Sequence, residues 1–183
     1  FLRTAGATIV LGDVPPLAHA AAAKAGVPSV AIGNFTWDWI YAAYDSFERE
    51  APGVIRVIRE AYALAKQHDL FVRVDIENTP YIQKTFDVFA TMWGEGFRNT
   101  GTALQSAVFR SEDDARFMCQ NGIRVRLVKG AYKEPANLAH QAKADVDAAY
   151  VRIMKRLLTD GVYPAIATHD PAMIKATTVF AAE

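Results

Sequence analysis

The sequence predicts an α/β fold in which parallel strands alternate with helices. Six short, largely apolar runs are separated by helical patterns. Strands connected through helices are parallel, because a parallel pair needs a long crossover connection. Polar residues follow directly after the later runs, as they do at the active-site end of an α/β barrel. The predicted strands cover residues 7–11, 29–32, 72–76, 102–107, 124–129 and 164–168.

The first third of the chain predicts a Rossmann-like βαβα segment. A Pro-Pro pair suits the first turn of a helix that Gly26 ends. After the second strand, an aromatic helix is predicted over residues 35–41 and a further helix over residues 54–66. The aromatic side chains fit either packing against the sheet or the lining of a sugar site. No glycine-rich phosphate-binding motif follows either strand. We therefore divide the chain into residues 1–66 and 67–183.

The second part predicts four βα units, spaced as in an eight-unit barrel. Ser111 is placed as a helix cap with Asp114 completing a capping box, and Asp170 with Pro171 begins the last helix. Other helices are predicted over residues 80–93 and 143–160. The latter has an apolar stripe at helical spacing, formed by Val146, Tyr150, Ile153, Met154, Leu157 and Leu158. This part is predicted to be a partial (β/α)8 TIM-type barrel.

Composition and charge exclude several classes of function. Twenty basic and twenty acidic residues cancel, which gives no electrostatic case for binding nucleic acid. No apolar run reaches the roughly 18 residues of a membrane span. The histidines lack metal-ligand spacing, and the single cysteine, Cys119, fits a reducing compartment. We expect no metal, no nucleic acid and no membrane segment, and a cytoplasmic protein. Because the chain opens on Phe1 and closes within a helical pattern, we expect both ends to be cut.

Polar side chains stand at or near the ends of four predicted strands. Each of them has a separate structural explanation, as a cap, an edge residue, a solvated charge or a core histidine. Together they favour a site, because polar side chains in a barrel mouth are costly unless they contact a ligand or one another. The residues are Asp75, Gln105, Lys129 and the pair Thr168 and His169.

Arg126 lies inside an apolar strand, where a charge needs a partner. A bound anionic group or Asp75 would supply that partner. We expect Arg126 to point to the same end of the sheet as Asp75, Gln105 and Thr168. Gly130, after the same strand, fits either a simple turn or the close approach of a planar ligand to the backbone. No Gly-x-Ser-x-Gly motif indicates a nucleophile elbow.

Five segments of the second part form one set in a fixed order. They are FVRVDIE at 71–77, LQS at 104–106, RVRLVKGAYKE at 124–134, KADVD at 143–147 and YPAIATHD at 163–170. With these motifs, residues 68–183 resemble the FAD-dependent proline dehydrogenases. The resemblance implies a (β/α)8 barrel that takes a hydride from proline onto the flavin N5 atom and yields pyrroline-5-carboxylate.

The resemblance also implies roles for individual residues. Asp75 and Arg126 would form the catalytic polar pair, and Tyr132 would lie near the substrate. An electron acceptor such as a quinone is expected as a partner. The family also uses earlier strands that supply a lysine and a last strand and helix that supply paired arginines, which these residues do not include. FAD would be contacted by Ile76, Gln105, Lys129, Gly130, Ala131, Thr168 and His169.

Two segments of the first part, GDVPPLA at 12–18 and AGVPSVAIGNFTWDWIY at 25–41, carry a second resemblance. They are similar to the Rossmann-like N-terminal half of glycosyltransferase-type proteins associated with arabinokinases. Two alternative interpretations of the whole chain follow. It is a non-catalytic fragment or fusion product, or it is a sugar-nucleotide-binding protein of the glycosyltransferase type.

Overall fold

The computed structural model describes residues 10–12, 22–27, 29–31 and 47–182. The chain divides into two compact units, Phe1–Val54 and Ile55–Glu183. The aromatic helix predicted at residues 35–41 lies outside the described residues. The division predicted after residue 66 stays a prediction.

The first unit contains a pair of parallel strands. Strand β1 (Val10–Gly12) pairs with β2 (Ser29–Ala31), and Val10 lies opposite Ser29. Residues 22–25, between the two strands, are helical. This agrees with the predicted order of strand, helix and parallel strand.

Helix α1 (Phe47–Gln67) includes the boundary between the two units. Within the second unit, the buried ring of Tyr62 meets Phe97 edge to face, with 5.6 Å between the ring centres. Its hydroxyl accepts a hydrogen bond of 3.0 Å from Thr100 Oγ1. The last turns of α1 therefore pack against the start of the following sheet.

The second unit contains a four-stranded parallel sheet with a helix after each strand. Its elements are β3 (Val72–Val74), α2 (Thr79–Gly94), β4 (Thr100–Gln105), α3 (Ser111–Gln120), β5 (Arg124–Val128), α4 (Lys143–Asp160), β6 (Ala165–Ile166) and α5 (Pro171–Ala181). The strands are hydrogen-bonded in chain order, and every neighbouring pair is parallel. This confirms the predicted α/β class and the predicted order of the last four strands. None of the described helices has the length and apolar character needed to cross a membrane.

The two faces of this sheet differ in chemistry, because successive side chains of a strand point to opposite sides. The outer face carries Leu104, Val125 and Leu127, which are buried in one cluster with Ile153 and Leu157 of α4. This cluster is the hydrophobic core, and the charged residues of the strands lie on the opposite face. That inner face carries Arg73, Asp75, Gly101, Ala103, Gln105, Arg124, Arg126 and Val128.

Of the two predicted helix caps, the one at Asp170 is confirmed and the one at Ser111 is not. Asp170 caps α5 as predicted, since its Oδ1 atom accepts a hydrogen bond of 2.9 Å from Ala172 N. The capping box predicted at Ser111 is wrong. Arg110, before α3, already has helical backbone angles (φ −64°, ψ −17°), and Asp114 pairs with it at 2.8 Å. Ser111 Oγ instead donates to Gln105 O at 2.7 Å, because a side chain caps a helix only from a non-helical position.

Candidate active site

Arg126 and Asp75 form an ion pair near the ends of the strands on the inner face. Arg126 lies opposite Ala103 of β4, and Asp75 is the residue after β3, level with the same alanine. The two side chains are 32% and 17% exposed. Arg126 Nε is buried, and it has no hydrogen-bond partner among the described residues. The structure thus brings together the two residues that the sequence predicts as a catalytic pair.

Gln105 is buried at the end of β4 and is fixed by two hydrogen bonds. Its Nε2 atom donates to Ile76 O at 3.0 Å and to Glu77 O at 3.1 Å. Two carbonyl acceptors determine the orientation of the amide, because exchanging its oxygen and nitrogen would set oxygen against oxygen. Gln105 Oε1 is buried and lacks a hydrogen-bond partner within the described part of the chain.

Gly130 lies against Gln105 after β5 and has φ +106°, in the region that favours glycine. A Cβ atom at this position would lie 3.2 Å from Gln105 Oε1 and 3.3 Å from Ala107 Cβ. A side chain here would therefore meet both backbone strain and a crowded neighbour. The glycine keeps the backbone close to the unpaired amide oxygen.

Tyr132 and Glu77 extend this group beyond the strand ends. The Tyr132 hydroxyl donates a hydrogen bond to Glu77 Oε2. Burial raises the pKa of Glu77, and the nearby charge of Asp75 raises it further. Sequence reasoning gave Glu77 no role, although its spacing of two residues from Asp75 was a signal that both face the same side. We call Asp75, Glu77, Gln105, Arg126 and Tyr132 the carboxyl-edge cluster.

Lys129 joins a different group of charges, between β5 and the helices. Its Nζ atom lies 2.7 Å from Asp170 Oδ2 and also pairs with Asp147. Lys143 contacts the same two carboxylates, at 2.9 Å in the case of Asp170. Hydrogen bonds from Lys129 and then Lys143 hold the pKa of both aspartates below its usual range. The ammonium of Lys129 is therefore engaged on the helix side of the sheet.

The remaining predicted site residues are dispersed around the same end of the sheet. The Ile76 side chain is buried in the hydrophobic core, so only its backbone faces Gln105. Thr168 Oγ1 accepts a hydrogen bond of 3.1 Å from Asp170 N. His169 and Ala131 are exposed. Of the predicted residues, Asp75, Arg126 and Gln105 thus lie on the inner face with Gly130 beside Gln105, whereas Lys129 is held on the helix side.

A second group of charges occupies the amino end of the inner face. The guanidinium groups of Arg73 and Arg124 lie 5.0 Å and 5.1 Å from the ring centre of Phe71. A Cβ atom at Gly101 would lie 2.9 Å from Phe71 Cζ, so the glycine makes room for this arrangement. Burial lowers the pKa of Arg73, and the positive charge of Arg126 lowers it further. Three arginines therefore make the inner face electropositive.

Comparison with solved structures supports the barrel-type fold. The chain superimposes on proline utilization A (PutA) from Bdellovibrio bacteriovorus inactivated by N-propargylglycine with a TM-score of 0.67 and 23% identity. The match covers 75% of this chain and 17% of that protein. A PutA of Bradyrhizobium japonicum gives the same TM-score at 24% identity, over 75% of this chain and 16% of that one. At this identity the likeness concerns the fold alone.

Relatives found by sequence bear directly on the predicted resemblance to proline dehydrogenases. Proline dehydrogenase 2 of Bacillus subtilis (strain 168) is 39% identical over 119 residues, which are 65% of this chain. Proline dehydrogenase of Deinococcus radiodurans is 39% identical over 117 residues, 63% of this chain. The chain spans 39% and 38% of the length of these two relatives.

Two further matches concern the identity of the chain. A stretch of 44 residues, 24% of this chain, is 50% identical to L-arabinokinase of Arabidopsis thaliana and covers 4% of that protein. The sequence model of the family described as proline dehydrogenase matches residues 14–183. Because this second match includes nearly the whole sequence, the chain belongs to the proline dehydrogenase family.

Proposed function

We propose that this chain is part of an FAD-dependent enzyme that oxidises L-proline to pyrroline-5-carboxylate. The observation that carries the proposal is the carboxyl-edge cluster, in which the Arg126–Asp75 ion pair and Gln105 share the inner face towards the carboxyl ends of three strands. Family membership gives the reaction class, and active sites of barrel enzymes lie at this end of the sheet. The activity of the whole enzyme is a proposal because the chain spans about two fifths of its relatives.

Two atoms of the cluster fit a flavin. Gln105 Oε1 is a buried acceptor and Arg126 Nε a buried donor, and neither has a partner within the residues that the structure describes. A buried polar atom without a partner is costly, so a bound group that offers both a donor and an acceptor would be stabilised here. Gly130 adds backbone without a side chain beside Gln105. When bound, the flavin would supply the acceptor for the hydride that leaves proline.

We assign the flavin contacts to two kinds of group. Gln105 and Arg126 would contribute side chains. The segment from Lys129 to Ala131 and the residue Ile76 would contribute backbone, because the Lys129 ammonium and the Ile76 side chain are engaged elsewhere. Contacts from Thr168 and His169, at the end of β6, complete the proposed set.

The residues of the cluster act on the reaction through charge and orientation. Arg126 provides a fixed cation, and Asp75 holds the guanidinium in place. A preorganised cation lowers the energy of negative charge that develops beside it. Tyr132, which donates to Glu77, would border the space for proline above the same strand ends. The rates of proline oxidation should therefore depend on the geometry of Arg126 as well as on its charge.

Flavin binding and reduction test this function directly. The purified chain is titrated with FAD, and the visible absorbance of the flavin is then followed without oxygen as L-proline is added. We expect FAD to bind. L-proline should then bleach the visible absorbance of the flavin, and D-proline should not. If FAD binds and L-proline does not reduce it, the chain by itself is the non-catalytic fragment of the alternative interpretation. If FAD does not bind, the assignment of the cofactor contacts is wrong.

Two further proposals concern the partner and the compartment. We propose that a quinone reoxidises the reduced flavin and that the enzyme works in the cytoplasm, a reducing compartment that the single cysteine fits. A water-soluble quinone added after anaerobic reduction should restore the visible absorbance. Fractionation of the source cells would test the compartment.

The division into residues 1–66 and 67–183 is also a proposal. If the two parts are separate domains, limited proteolysis should cut near residues 65–70 and leave the second part folded. Resistance of this segment to proteases would contradict the division.

A further inference from the structure

Helix α2 begins without a cap from its own neighbourhood. Asn78 precedes the helix and makes no side-chain hydrogen bond to it, and the first turn has no acidic residue. Pro80, near the start of the helix, has no N–H to offer. The free N–H group of Thr79 and the positive end of the helix dipole therefore need an acceptor from another part of the chain.

Glu134 supplies that acceptor from a loop 55 residues further along the chain. Its Oε1 atom accepts from Thr79 N at 2.9 Å, and its Oε2 atom accepts from Thr79 Oγ1 at 2.5 Å. Glu134 is only 8% exposed. Among the described residues it forms no ion pair. Its charge is therefore met by the start of the helix rather than by a basic side chain.

The same loop carries Tyr132, two residues before Glu134. Tyr132 donates to Glu77, which lies two residues before Thr79. Two contacts thus tie the loop after β5 to the connection between β3 and α2. The loop is closed on itself as well, since Gln141 Nε2 donates to Glu134 O at 3.2 Å. Of the two ties, the one through Glu134 is the more buried, since Glu134 is 8% exposed and Tyr132 is 42% exposed.

We propose that Glu134 is a positioning residue that holds Tyr132 at the carboxyl edge by docking its loop onto the amino end of α2. The inference rests on the proposed function insofar as Tyr132 borders the space for proline. Loss of the Glu134 carboxylate frees the part of the loop that carries Tyr132 and leaves the Thr79 N–H group without its partner. Flavin contacts at Gln105 and Arg126 do not depend on this docking.

Hydrogen–deuterium exchange of the full chain tests the docking without any cofactor. In Glu134→Ala, exchange at the Thr79 amide and in the loop over residues 132–137 should rise about ten-fold, while β4 and β5 stay protected. Residues 138–140 should also stay protected, because they pair with residues 107–109. Glu134→Gln should restore most of the protection, because an amide oxygen still accepts from Thr79 N. The exposed neighbour Lys133 serves as the matched control, and Lys133→Ala should leave exchange unchanged.

The outcomes separate this inference from the proposed function. If Glu134→Ala exchanges like Lys133→Ala, the docking role is wrong whether or not FAD binds. If exchange rises equally in β4, β5 and the loop in both Glu134 variants, Glu134 only stabilises the fold and the inference is also wrong. Where the chain binds FAD and oxidises proline, Glu134→Ala should raise KM for proline several-fold with little change in the Kd for FAD. A chain that binds no FAD overturns the proposed function and leaves the exchange result to decide on Glu134.

Discussion

Asp75 and Arg126 pair across a strand that separates them. Strand β4 lies between β3 and β5, and at this level it presents only the methyl group of Ala103 to the inner face. Ala103 is 2% exposed, beneath the ion pair. A small residue on β4 is therefore needed for the contact between the side chains of Asp75 and Arg126.

Ala103→Leu should break this contact. The larger side chain would occupy the space between Asp75 and Arg126, and we expect a loss of about 2 kcal/mol in the free energy of unfolding from overpacking. Flavin binding should weaken as well, because Arg126 can no longer hold its position. Urea unfolding followed by circular dichroism measures the first effect. Ala90→Leu, on the exposed side of α2, is the control and should change neither quantity.

Arg126→Lys should impair flavin reduction much more than folding. Lysine keeps the charge but loses the planar set of donors, including the buried Nε group. We expect reduction of bound flavin by L-proline to slow by roughly a hundred-fold, as when one preorganised donor is removed. Stopped-flow absorbance measures the rate, and the melting temperature measures the effect on folding.

Arg124→Lys is the matched control for this change. Arg124 lies on the same strand and face, two residues earlier, and stacks on Phe71 and Tyr163 instead of pairing with Asp75. Its replacement should leave the reduction rate within about two-fold of the original, because it lies at the other end of the inner face. Equal slowing in both variants would mean that the loss of any guanidinium group on the inner face slows the reaction and that the position of Arg126 does not matter.

Much of this arrangement could be predicted from the sequence. The period of two in each strand and the polar residues near the strand ends placed Asp75, Gln105 and Arg126 on one face and towards one end of the sheet. Gly130 was compatible with a turn or with a close approach of the backbone. Asp170 with Pro171 predicted a helix start that the structure confirms. These features depend on residues that are near one another in the chain.

Contacts between distant segments could not be predicted in the same way. The residues near Thr79 do not predict that Glu134 caps the helix. The only local sign is the lack of an acidic residue in the first turn. Lys129 directly follows the strand that carries Arg126. Its ammonium nevertheless lies on the helix side of the sheet, because it pairs there with Asp147 and Asp170. The capping box at Ser111 failed for a similar reason. The start of α3 is set by Arg110 and by the contact of Ser111 with Gln105, which local pattern does not reveal.

Lys129→Met should reduce stability at neutral pH and alter its acid dependence. Lys129 lowers the pKa of Asp147 and Asp170 below the ordinary value of 3.8, so the stability it contributes is present above that pH. This contribution is lost as the pH falls through the lowered values and the carboxylates become protonated. The difference in melting temperature between the original chain and Lys129→Met should therefore be largest near pH 7 and shrink below about pH 4.

The exposed Lys175 of α5 provides the control for the change at Lys129. Lys175→Met removes the same charge from the chain without touching the two aspartates, so its melting temperature should follow the original at every pH. A difference for Lys129→Met that stays constant down to pH 3 would show that the ion pairs are not its source.

Glu77→Gln should stabilise the chain at neutral pH. Burial and the charge of Asp75 raise the pKa of Glu77 above its ordinary value of 4.5, so folding favours the protonated form. That contribution is present below about pH 4.5 and is lost as the pH rises through the raised value, which leaves an unfavourable charge at pH 7. Glutamine is neutral throughout and still accepts from Tyr132. After allowance for solvent screening we expect a gain of about 0.5 kcal/mol at pH 7 that vanishes near pH 4.

Urea unfolding of Glu77→Gln at both pH values measures this gain. Glu95→Gln is a control of opposite sign, because Arg59 lowers the pKa of Glu95. A loss of stability in Glu77→Gln at pH 7 would mean that the hydrogen bond from Tyr132 to the charged carboxylate outweighs the cost of its burial.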